Sequence, residues 1–230
     1  MSPPGAPRIA VLIPAYEAAA TVGAVVADAW TAGLPILVVD DGSRDDTAAR
    51  ARTAGAEVVR HDANRGKGAA LLTGMRRLAE QGFTHALTMD ADGQHLGRTI
   101  PVLLAEVARD PTALVVGARA IGAQAVAAAN LLGNRVANLA VRAAAGRVVD
   151  DTQSGLRVYP LATVLPLPVS GLHFEYETTV LVHAARAGIP LRSVMVDVYY
   201  PPIPLRRSHY RKVLDTLRII RAMLPLLLRR

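Results

Sequence analysis

The sequence HALTMDADGQH, residues 85–95, places two carboxylates directly after a short apolar segment. Residues 85–89 are mostly apolar and partly β-branched, which predicts a buried strand. Asp90, Asp92 and Gln94 then follow at spacings of two. In an extended or turning loop, this spacing lets the three side chains converge on one hard cation. Mg²⁺ and Mn²⁺ prefer such oxygen ligands and commonly combine one or two carboxylates with substrate phosphates.

The rest of the chain alternates between predicted strands and predicted helices. Strands are predicted at residues 8–13, 35–39, 57–60, 85–89, 113–116 and 191–199. Helices are predicted at residues 21–32, 43–53, 69–81, 99–108 and 174–187. Thr21 is the predicted cap of the first helix, and Ser43 with Asp46 is the predicted capping box of the second. Repeated strand–helix alternation predicts an α/β protein with a mostly parallel sheet and helices on both faces.

Three polar clusters follow predicted strands. Residues 14–17, 40–41 and 90–94 each stand at the carboxyl end of a strand. Ligands of such sheets bind outside these ends, so the three clusters are expected to form one site. An Asp-x-Asp triplet alone is more often a solvated turn, and this convergence is what favours the metal site.

Composition excludes several classes of protein. The chain has no cysteine, which excludes disulfides and thiolate metal sites. The apolar N-terminal segment is broken at Pro14, so no signal peptide is predicted. The uncharged stretch 158–174 contains three prolines and is too broken for a transmembrane helix. A cytoplasmic origin is therefore expected.

Two common nucleotide-binding motifs are missing. No G-x-G-x-x-G follows the first strand, which argues against a dinucleotide site. Gly66-Lys67-Gly68 lacks the full pattern of a P-loop. Lys67 nevertheless stands where a helix is predicted to begin, and a helix N-terminus suits phosphate. An exposed loop lysine is the alternative.

Five motifs together resemble family 2 glycosyltransferases. They are Ile13-Pro14-Ala15-Tyr16, residues 38–43 (VVDDGS), Gly66-Lys67-Gly68, residues 90–95 (DADGQH) and residues 151–157 (DTQSGLR). The pattern is most similar to the dolichol-phosphate mannosyltransferase-like branch, the polyprenyl-phosphate glycosyltransferases. The resemblance covers residues 8–212 and implies a GT-A fold that binds a nucleotide-diphosphate sugar.

The resemblance also implies the donor-site residues. The nucleotide sugar would contact Pro14, Tyr16, Glu17, Val39, Asp41, Lys67 and Ala91. Glu17 stands one position before the glutamate of the family pattern. Asp90, Asp92 and Gln94 would hold Mg²⁺ or Mn²⁺, which neutralises charge on the leaving nucleoside diphosphate.

The expected acceptor-side residues are more scattered. Arg119 matches the position that contacts an acceptor phosphate, and Arg135 and Ser208 are the nearest equivalents of further acceptor-binding residues. A phosphate acceptor is already ionised and needs no general base, whereas a hydroxyl acceptor does. Asp151 is then a candidate base, with Glu175 as the alternative, although a glutamate there also suits a solvated helix start. The processive Gln-x-x-Arg-Trp motif is absent from the sequence, so transfer of a single sugar to a lipid-linked acceptor is expected.

Three alternatives remain open. A sugar-phosphate nucleotidyltransferase would carry a Gly-rich, Arg-containing loop where residues 14–17 stand. A non-catalytic nucleotide-sugar-binding homologue would not need Asp90, Asp92 and Gln94 together. An acceptor hydroxyl on another lipid or small molecule is the third.

The basic charge is concentrated near the C-terminus. Residues 205–230 carry eight of the 26 basic residues and one of the 19 acidic residues, which leaves residues 1–204 neutral. Residues 1–204 are therefore expected to form the GT-A domain, and 205–230 a basic amphipathic tail. With few interleaved aromatics, the tail does not indicate a nucleic-acid partner.

The tail is predicted to form an amphipathic helix over residues 209–224 that ends before Pro225. Its apolar stripe comprises Tyr210, Val213, Leu214, Leu217, Ile220 and Leu224, while Ile219 and Arg221 break the pattern. This composition favours binding of the helix to an anionic membrane surface, which would make the protein a peripheral one on the cytoplasmic face. The alternative is a helix packed on the body of the protein or on a second subunit of a homodimer.

Overall fold

The computed structural model describes residues 5–119, 138, 141–143, 151–199 and 212–228. The strands in this part of the chain are β1 (Ile9–Ala15), β2 (Ile36–Asp40), β3 (Glu57–Arg60), β4 (His85–Thr88), β5 (Leu114–Arg119), β6 (Arg157–Pro160) and β7 (Leu191–Val196). The helices are α1 (Val22–Ala29), α2 (Thr47–Thr53), α3 (Lys67–Glu80), α4 (Ile100–Arg109), α5 (Leu161–Val164), α6 (Glu175–Arg186) and α7 (Lys212–Leu228). Short 3₁₀ turns follow α1 at Trp30–Ala32 and precede α4 at Gly97–Thr99.

The described strands form one sheet in the order β3-β2-β1-β4-β6-β5-β7. Strands β1 to β4 pair in parallel, and β5 pairs in parallel with β7. Strand β6 runs antiparallel to both of its neighbours, β4 and β5. The mostly parallel sheet is thus confirmed, but β6 was not predicted, because a four-residue strand that begins with arginine and ends with proline has no strand pattern.

Helices cover both faces of the sheet, which explains why β1 is apolar throughout. Alternate residues of a strand point to opposite faces. Leu12 therefore lies in one core cluster, with α3, α5, α6 and α7. Val11 and Ile13 lie in the other, with α1, α2 and α4. Strands buried on both sides lose the alternation of polar and apolar residues.

Helix α7 differs from its prediction at its C-terminal end and in its packed face, while residues 209–211 at its predicted start lie outside the described residues. It runs through Pro225 to Leu228, so the prediction that it ends before Pro225 was wrong. Proline removes the hydrogen bond to the carbonyl four residues earlier, and that carbonyl belongs to the exposed Arg221, where water can replace the bond. Ile219 and Met223 pack into the core, although Ile219 was expected to break the pattern.

The face of α7 that was predicted to be apolar lies on the outside. Leu217, Ile220 and Leu224 are 58%, 43% and 51% exposed. Arg186 of α6 donates a hydrogen bond to the carbonyl of Leu226, which helps to hold the opposite face on the body of the protein. No helix in the described residues combines the length and apolarity needed to cross a membrane.

Candidate active site

The loops that follow β1, β2 and β4 meet at the carboxyl edge of the sheet, as predicted. The amide of Asp41 donates to the carbonyl of Ala15 over 2.8 Å, which joins the ends of β1 and β2. Thr21 occupies the predicted capping position of α1, but its hydroxyl instead donates to the carbonyl of Ala91 over 2.6 Å. Ala91, which lies between Asp90 and Asp92, is therefore held by a contact from the start of α1.

The two aspartates of this loop are held differently. Gln94 donates its backbone N–H to Asp92 Oδ1 over 3.0 Å and its side-chain amide to Asp92 Oδ2 over 2.6 Å. Asp90 instead lies against Gly155, where an added Cβ would approach its Oδ2 to 2.3 Å. Burial, and then the charge of Asp90, raise the pKa of Asp92. Two carboxylates that disfavour each other's charge are stabilised by a cation.

The donor set fits a hard divalent ion. In the part of the chain that the structure describes, no group of three or more His, Cys, Asp or Glu residues is placed to hold a metal by itself. A cation here would combine Asp90, Asp92 and the amide oxygen of Gln94 with oxygens from a substrate. That mixture of few protein ligands and substrate phosphates is what Mg²⁺ ordinarily uses.

Lys67, the first residue of α3, joins this site from the side. Its Nζ lies 2.7 Å from Asp90 Oδ1 and 2.7 Å from Glu177 Oε2. The lysine side chain is only 14% exposed, so it is not the loop lysine of the alternative interpretation. Glu177 is buried in the first turn of α6, as is Glu175, for which the alternative interpretation was a solvated helix start. Sequence reasoning gave no signal for this long-range pair.

The N-terminus of α3 itself is covered by protein. The amide of Ala69 donates to the carbonyl of Leu172 over 3.0 Å, and the amide of Gly66 donates to Asp41 Oδ2 over 2.8 Å. An added Cβ on Gly68 would lie 2.9 Å from the carbonyl carbon of Leu172. The two glycines of the motif thus pack against the segment before α6, and the Lys67 side chain is the part of this region that reaches the Asp90 loop.

Asp41, which was predicted to contact the nucleotide, organises the chain between β2 and α3. Its Oδ1 is 2.7 Å from His61 Nδ1 and accepts the amide of Arg65 over 2.9 Å, while Oδ2 accepts the amide of Gly66. The carboxylate is buried and orders the chain that leads into α3. Val39, a neighbour in the predicted set, places its side chain in the hydrophobic core.

Glu17 links the loops after β1 and β2. Among the described residues it is the only non-glycine with a positive φ, at 48°. Its amide donates to Ser43 Oγ over 2.9 Å, and its Oε1 accepts the amide of Arg44 over 2.7 Å. The Ser43/Asp46 capping box is therefore wrong, because Ser43 Oγ accepts from Glu17 and the N-cap residue of α2, Asp46, makes no side-chain capping bond. Pro14 is buried and Tyr16 half-buried beside this link.

Arg119 and Asp151, which were predicted for the acceptor side, form a bidentate pair. Arg119 Nε and Nη2 donate to the two oxygens of Asp151 over 2.5 and 3.1 Å. Burial opposes ionisation of Asp151, but the hydrogen bonds and charge of Arg119 outweigh it and lower the pKa of Asp151. Arg119 is 21% exposed, so the pair belongs to the site and is not a surface salt bridge. Arg135 and Ser208, also predicted for the acceptor, lie outside the described residues.

His95 connects the two sides, and sequence reasoning did not single it out. Burial is the main cause that lowers the pKa of His95 to about 4, and the charges of Asp90, Arg119, Lys67 and Asp151 also act on it. Within the described chain its Nδ1 has no hydrogen-bond partner. The imidazole therefore lies within electrostatic reach of both the Asp90 loop and the Arg119–Asp151 pair.

Arg157 supports this site from inside the protein. Its guanidinium donates to the carbonyls of Ser154 and Thr152, each over 2.8 Å, and to the carbonyl of Glu177. The side chain is fully buried, which ties the turn after Asp151 to α6. The motif that contains Arg157 was noticed in the sequence, but its internal role was missed.

This sheet, with an Asp-x-Asp loop beside an antiparallel strand, defines a GT-A-like fold. The chain belongs to glycosyl transferase family 2, whose model matches residues 10–155, and it is a glycosyltransferase. It is 27% identical over 223 residues to UDP-N-acetylglucosamine–dolichyl-phosphate N-acetylglucosaminyltransferase of Methanococcus voltae, with 87% of this chain and 89% of that protein covered. It is 29% identical over 164 residues to undecaprenyl-phosphate mannosyltransferase of Micrococcus luteus, with 66% and 67% covered.

Solved structures agree on the fold. Glucosyl-3-phosphoglycerate synthase of Mycobacterium tuberculosis, in complex with Mn²⁺, UDP and glucosyl-3-phosphoglycerate, matches with a TM-score of 0.75 at 23% identity, over 96% of this chain and 80% of that one. Mannosyl-3-phosphoglycerate synthase of Rubrobacter xylanophilus matches with a TM-score of 0.74 at 23% identity, over 96% and 73%. The predicted family and fold are confirmed.

Proposed function

We propose that this protein transfers a single sugar from a nucleotide-diphosphate sugar to a polyprenyl-phosphate type of lipid at the membrane surface. The observation that carries the proposal is the meeting of two sites at one sheet edge. The Asp90–Asp92–Gln94 loop suits a cation with a diphosphate, and the turn that holds Arg119 through Asp151 also brings Gly155 against Asp90. Relatives named as acting on dolichyl phosphate and undecaprenyl phosphate support this acceptor class.

The cation would be Mg²⁺ or Mn²⁺ on Asp90, Asp92 and Gln94. When bound, it would act as a Lewis acid for the charge that develops on the leaving diphosphate. Asp90 and Asp92 supply the negative charge that holds it, and Lys67 supplies a further positive charge beside the diphosphate. The solved neighbour with Mn²⁺ and UDP supports this assignment.

The acceptor step needs no base if the acceptor is a phosphate. An ionised phosphate oxygen would attack the anomeric carbon of the sugar, forming the new C–O bond as the bond to the nucleoside diphosphate breaks, with inversion. Arg119 would bind the acceptor phosphate through its planar fork, and Asp151 would hold that fork in place. The pKa of Asp151 is lowered, so this carboxylate is a weak proton acceptor. It is better suited to positioning Arg119 as a permanent anion than to acting as a general base.

The test is an acceptor panel. Purified protein is incubated with Mn²⁺ and a series of nucleotide sugars, and release of nucleoside diphosphate is measured with a polyprenyl phosphate in detergent, with 3-phosphoglycerate, and without acceptor. We expect release that depends on the polyprenyl phosphate and stops on addition of EDTA. Release that occurs only with 3-phosphoglycerate would replace the lipid acceptor by a small phosphorylated one.

The outer face of α7 is our candidate for membrane contact. Leu217, Ile220 and Leu224 are exposed on one side of a helix whose other side is packed in the core. Arg221 lies exposed among them. Exposed leucines beside basic residues are typical of helices that bind an anionic lipid interface. The enzyme would thus reach its lipid acceptor as a peripheral protein on the cytoplasmic face.

Point variants test this better than deletion, because removal of α7 would uncover the core around Ile219 and Met223. The double variant Leu217→Glu/Leu224→Glu is compared with Val102→Glu, which alters an equally exposed apolar residue on α4, across the sheet. In co-sedimentation with anionic vesicles, we expect the double variant to lose binding and Val102→Glu to keep it. Equal binding of the three proteins, or binding indifferent to salt, would exclude membrane contact through α7.

A further inference from the structure

Lys67 is shared between two carboxylates that have different surroundings. Asp90 is partly open, with 27% of its side chain exposed, whereas the Glu177 side chain is 6% exposed. Both lie 2.7 Å from Lys67 Nζ. An ammonium group has three donors, so it can serve both carboxylates and still offer one hydrogen bond. The exposed partner can be exchanged for a ligand, and the buried partner cannot.

In the described part of the chain, Lys67 is the one cation that forms an ion pair with the Glu177 carboxylate, and the charge of Arg157 also acts on it. Its Oε1 is buried and has no hydrogen-bond partner in the described residues, and its Oε2 faces Lys67. Arg157 contacts Glu177 through the backbone carbonyl. A buried carboxylate whose partner moves away is strongly destabilised, so Lys67 has to stay near Glu177 whatever happens to Asp90.

Asp90 faces the opposite situation. A divalent ion that takes Asp90 Oδ1 as a ligand competes with the ammonium group already on that oxygen. Because the two cations would also repel each other, binding of an ion would displace Lys67 from Asp90. The segment around Leu172 and Phe174 restricts this movement, since Gly68 packs on Leu172 and the Phe174 ring centroid lies 5.7 Å from Lys67 Nζ.

We infer that Glu177 is a positioning residue that tethers Lys67, so that Lys67 exchanges Asp90 for an oxygen of the donor diphosphate when the divalent ion binds. In the free protein, Lys67 neutralises Asp90. In the loaded protein, the ion neutralises Asp90, and Lys67 remains on Glu177 with its other donors directed at the diphosphate. This inference rests on the proposed function and adds to it a residue far from every recognised motif.

Binding of Mn²⁺ alone tests the exchange. Lys67→Met removes the competing cation, so we expect the variant to bind Mn²⁺ about tenfold more tightly than the wild type in isothermal titration without nucleotide. If Lys67 were instead a supporting residue of the cation site, the same substitution would weaken Mn²⁺ binding, and that result would overturn the exchange. The double variant Lys67→Met/Glu177→Gln removes both charges together and leaves no unpaired buried carboxylate. It replaces Lys67→Met in the Mn²⁺ titration if the single variant is unstable.

Binding of UDP and of GDP at saturating Mn²⁺ tests the tether. Glu177→Gln removes a negative charge near an anionic ligand, so simple electrostatics predicts tighter nucleotide binding. The tether predicts the opposite sign, about a fivefold loss for whichever nucleotide binds, because Lys67 is no longer held in place. The loss should vanish when Lys67→Met is already present. Tighter binding, or an equal loss with and without Lys67, would overturn the inference.

Glu175→Gln is the matched control. Glu175 is a buried glutamate in the same turn of α6, also with one carboxylate oxygen that has no partner in the described residues, and it forms no ion pair with Lys67 there. We expect its nucleotide affinity to stay within about twofold of the wild type. If Glu175→Gln lost as much nucleotide affinity as Glu177→Gln, both glutamates would be assigned a general role in stabilising α6.

The same titrations separate failure of the tether from failure of the proposed function. A wild-type protein that binds neither Mn²⁺ nor nucleotide would overturn both. A wild-type protein that binds them, together with variants whose affinities are unaltered, would overturn only the tether.

Discussion

The two sides of the active site hold their charged groups by different means. On the donor side, carboxylates are held by backbone amides close in sequence or by neighbouring loops: Asp92 accepts from the amide of Gln94, and Asp41 from Arg65 and Gly66. On the acceptor side, charged side chains hold one another across the chain, as Arg119 does with Asp151. A loop built on amides is rigid without any partner charge, whereas a set of ion pairs can be rearranged by a ligand. The difference suits a proposed donor site that is fixed apart from the Lys67–Asp90 pair, beside a proposed acceptor site whose Arg119–Asp151 pair a ligand can rearrange.

The largest expected effect concerns the donor side. Asp92→Ala should lower kcat/KM by roughly 10³-fold, because a metal-held diphosphate contributes several kcal/mol to the transition state. The free energy of unfolding should not fall, since burial and Asp90 already raise the pKa of Asp92 and disfavour its charge. Assays of nucleoside diphosphate release and urea unfolding measure the two quantities. Glu80→Ala, which removes an exposed carboxylate at the far end of α3, is the control, and near-wild-type turnover of Asp92→Ala would refute the metal site.

The next effect concerns the stability of the acceptor side. Arg157→Met should cost about 3 kcal/mol or more of unfolding free energy, because three buried carbonyls lose their donor. Arg192→Met is the matched control, since Arg192 is 54% exposed and its pair with Asp110 spans 3.6 Å, an arrangement worth at most about 1 kcal/mol. Equal denaturation midpoints for the two variants would mean that Arg157 does not hold this side together.

A smaller effect separates the two sides in catalysis. Arg119→Lys keeps the charge but loses the planar fork, so we expect about a 10- to 100-fold loss in the acceptor step. Donor affinity, measured by titration of nucleotide in the presence of Mn²⁺, should stay unchanged. An equal fall in donor affinity would place Arg119 on the donor side and remove the distinction drawn between the two.

The smallest effect concerns Gly68, which packs against α6 and the segment before it. Gly68→Ala should cost about 1–3 kcal/mol of unfolding free energy, because the new methyl group would lie 2.6 Å from Tyr176 Cβ and 2.9 Å from the Leu172 carbonyl carbon. Gly23→Ala in α1 is the matched helical glycine, whose new Cβ would come no nearer than 4.0 Å to Arg50 O, so it should stabilise by up to about 1 kcal/mol. Urea midpoints that move in the same direction would show that the segment before α6 can shift freely.

The donor side could be predicted because its signals are local. Strand β3 has the predicted bounds, and Asp90, Asp92 and Gln94 do lie together after β4. Each signal spans only a few residues, and the rule that ligands bind at the carboxyl edge of a parallel sheet joined them. Glu17 shows the limit even here, since its left-handed backbone and its bond to Arg44 have no sequence signature.

By itself, the amino-acid sequence determined the alternation of strands and helices, the order of the motifs and the set of oxygen-bearing side chains, Asp90, Asp92 and Gln94, that is proposed to hold a cation. Only the tertiary structure decided that Glu177 and Asp90 share Lys67, that β6 runs antiparallel beside β4, and that Ile219 faces the core while Leu217 faces out. The physical reason is the range of the interactions. Hydrophobic periodicity and turn chemistry act between near neighbours, whereas a buried charge is satisfied by whichever partner the packing brings to it, at any distance along the chain.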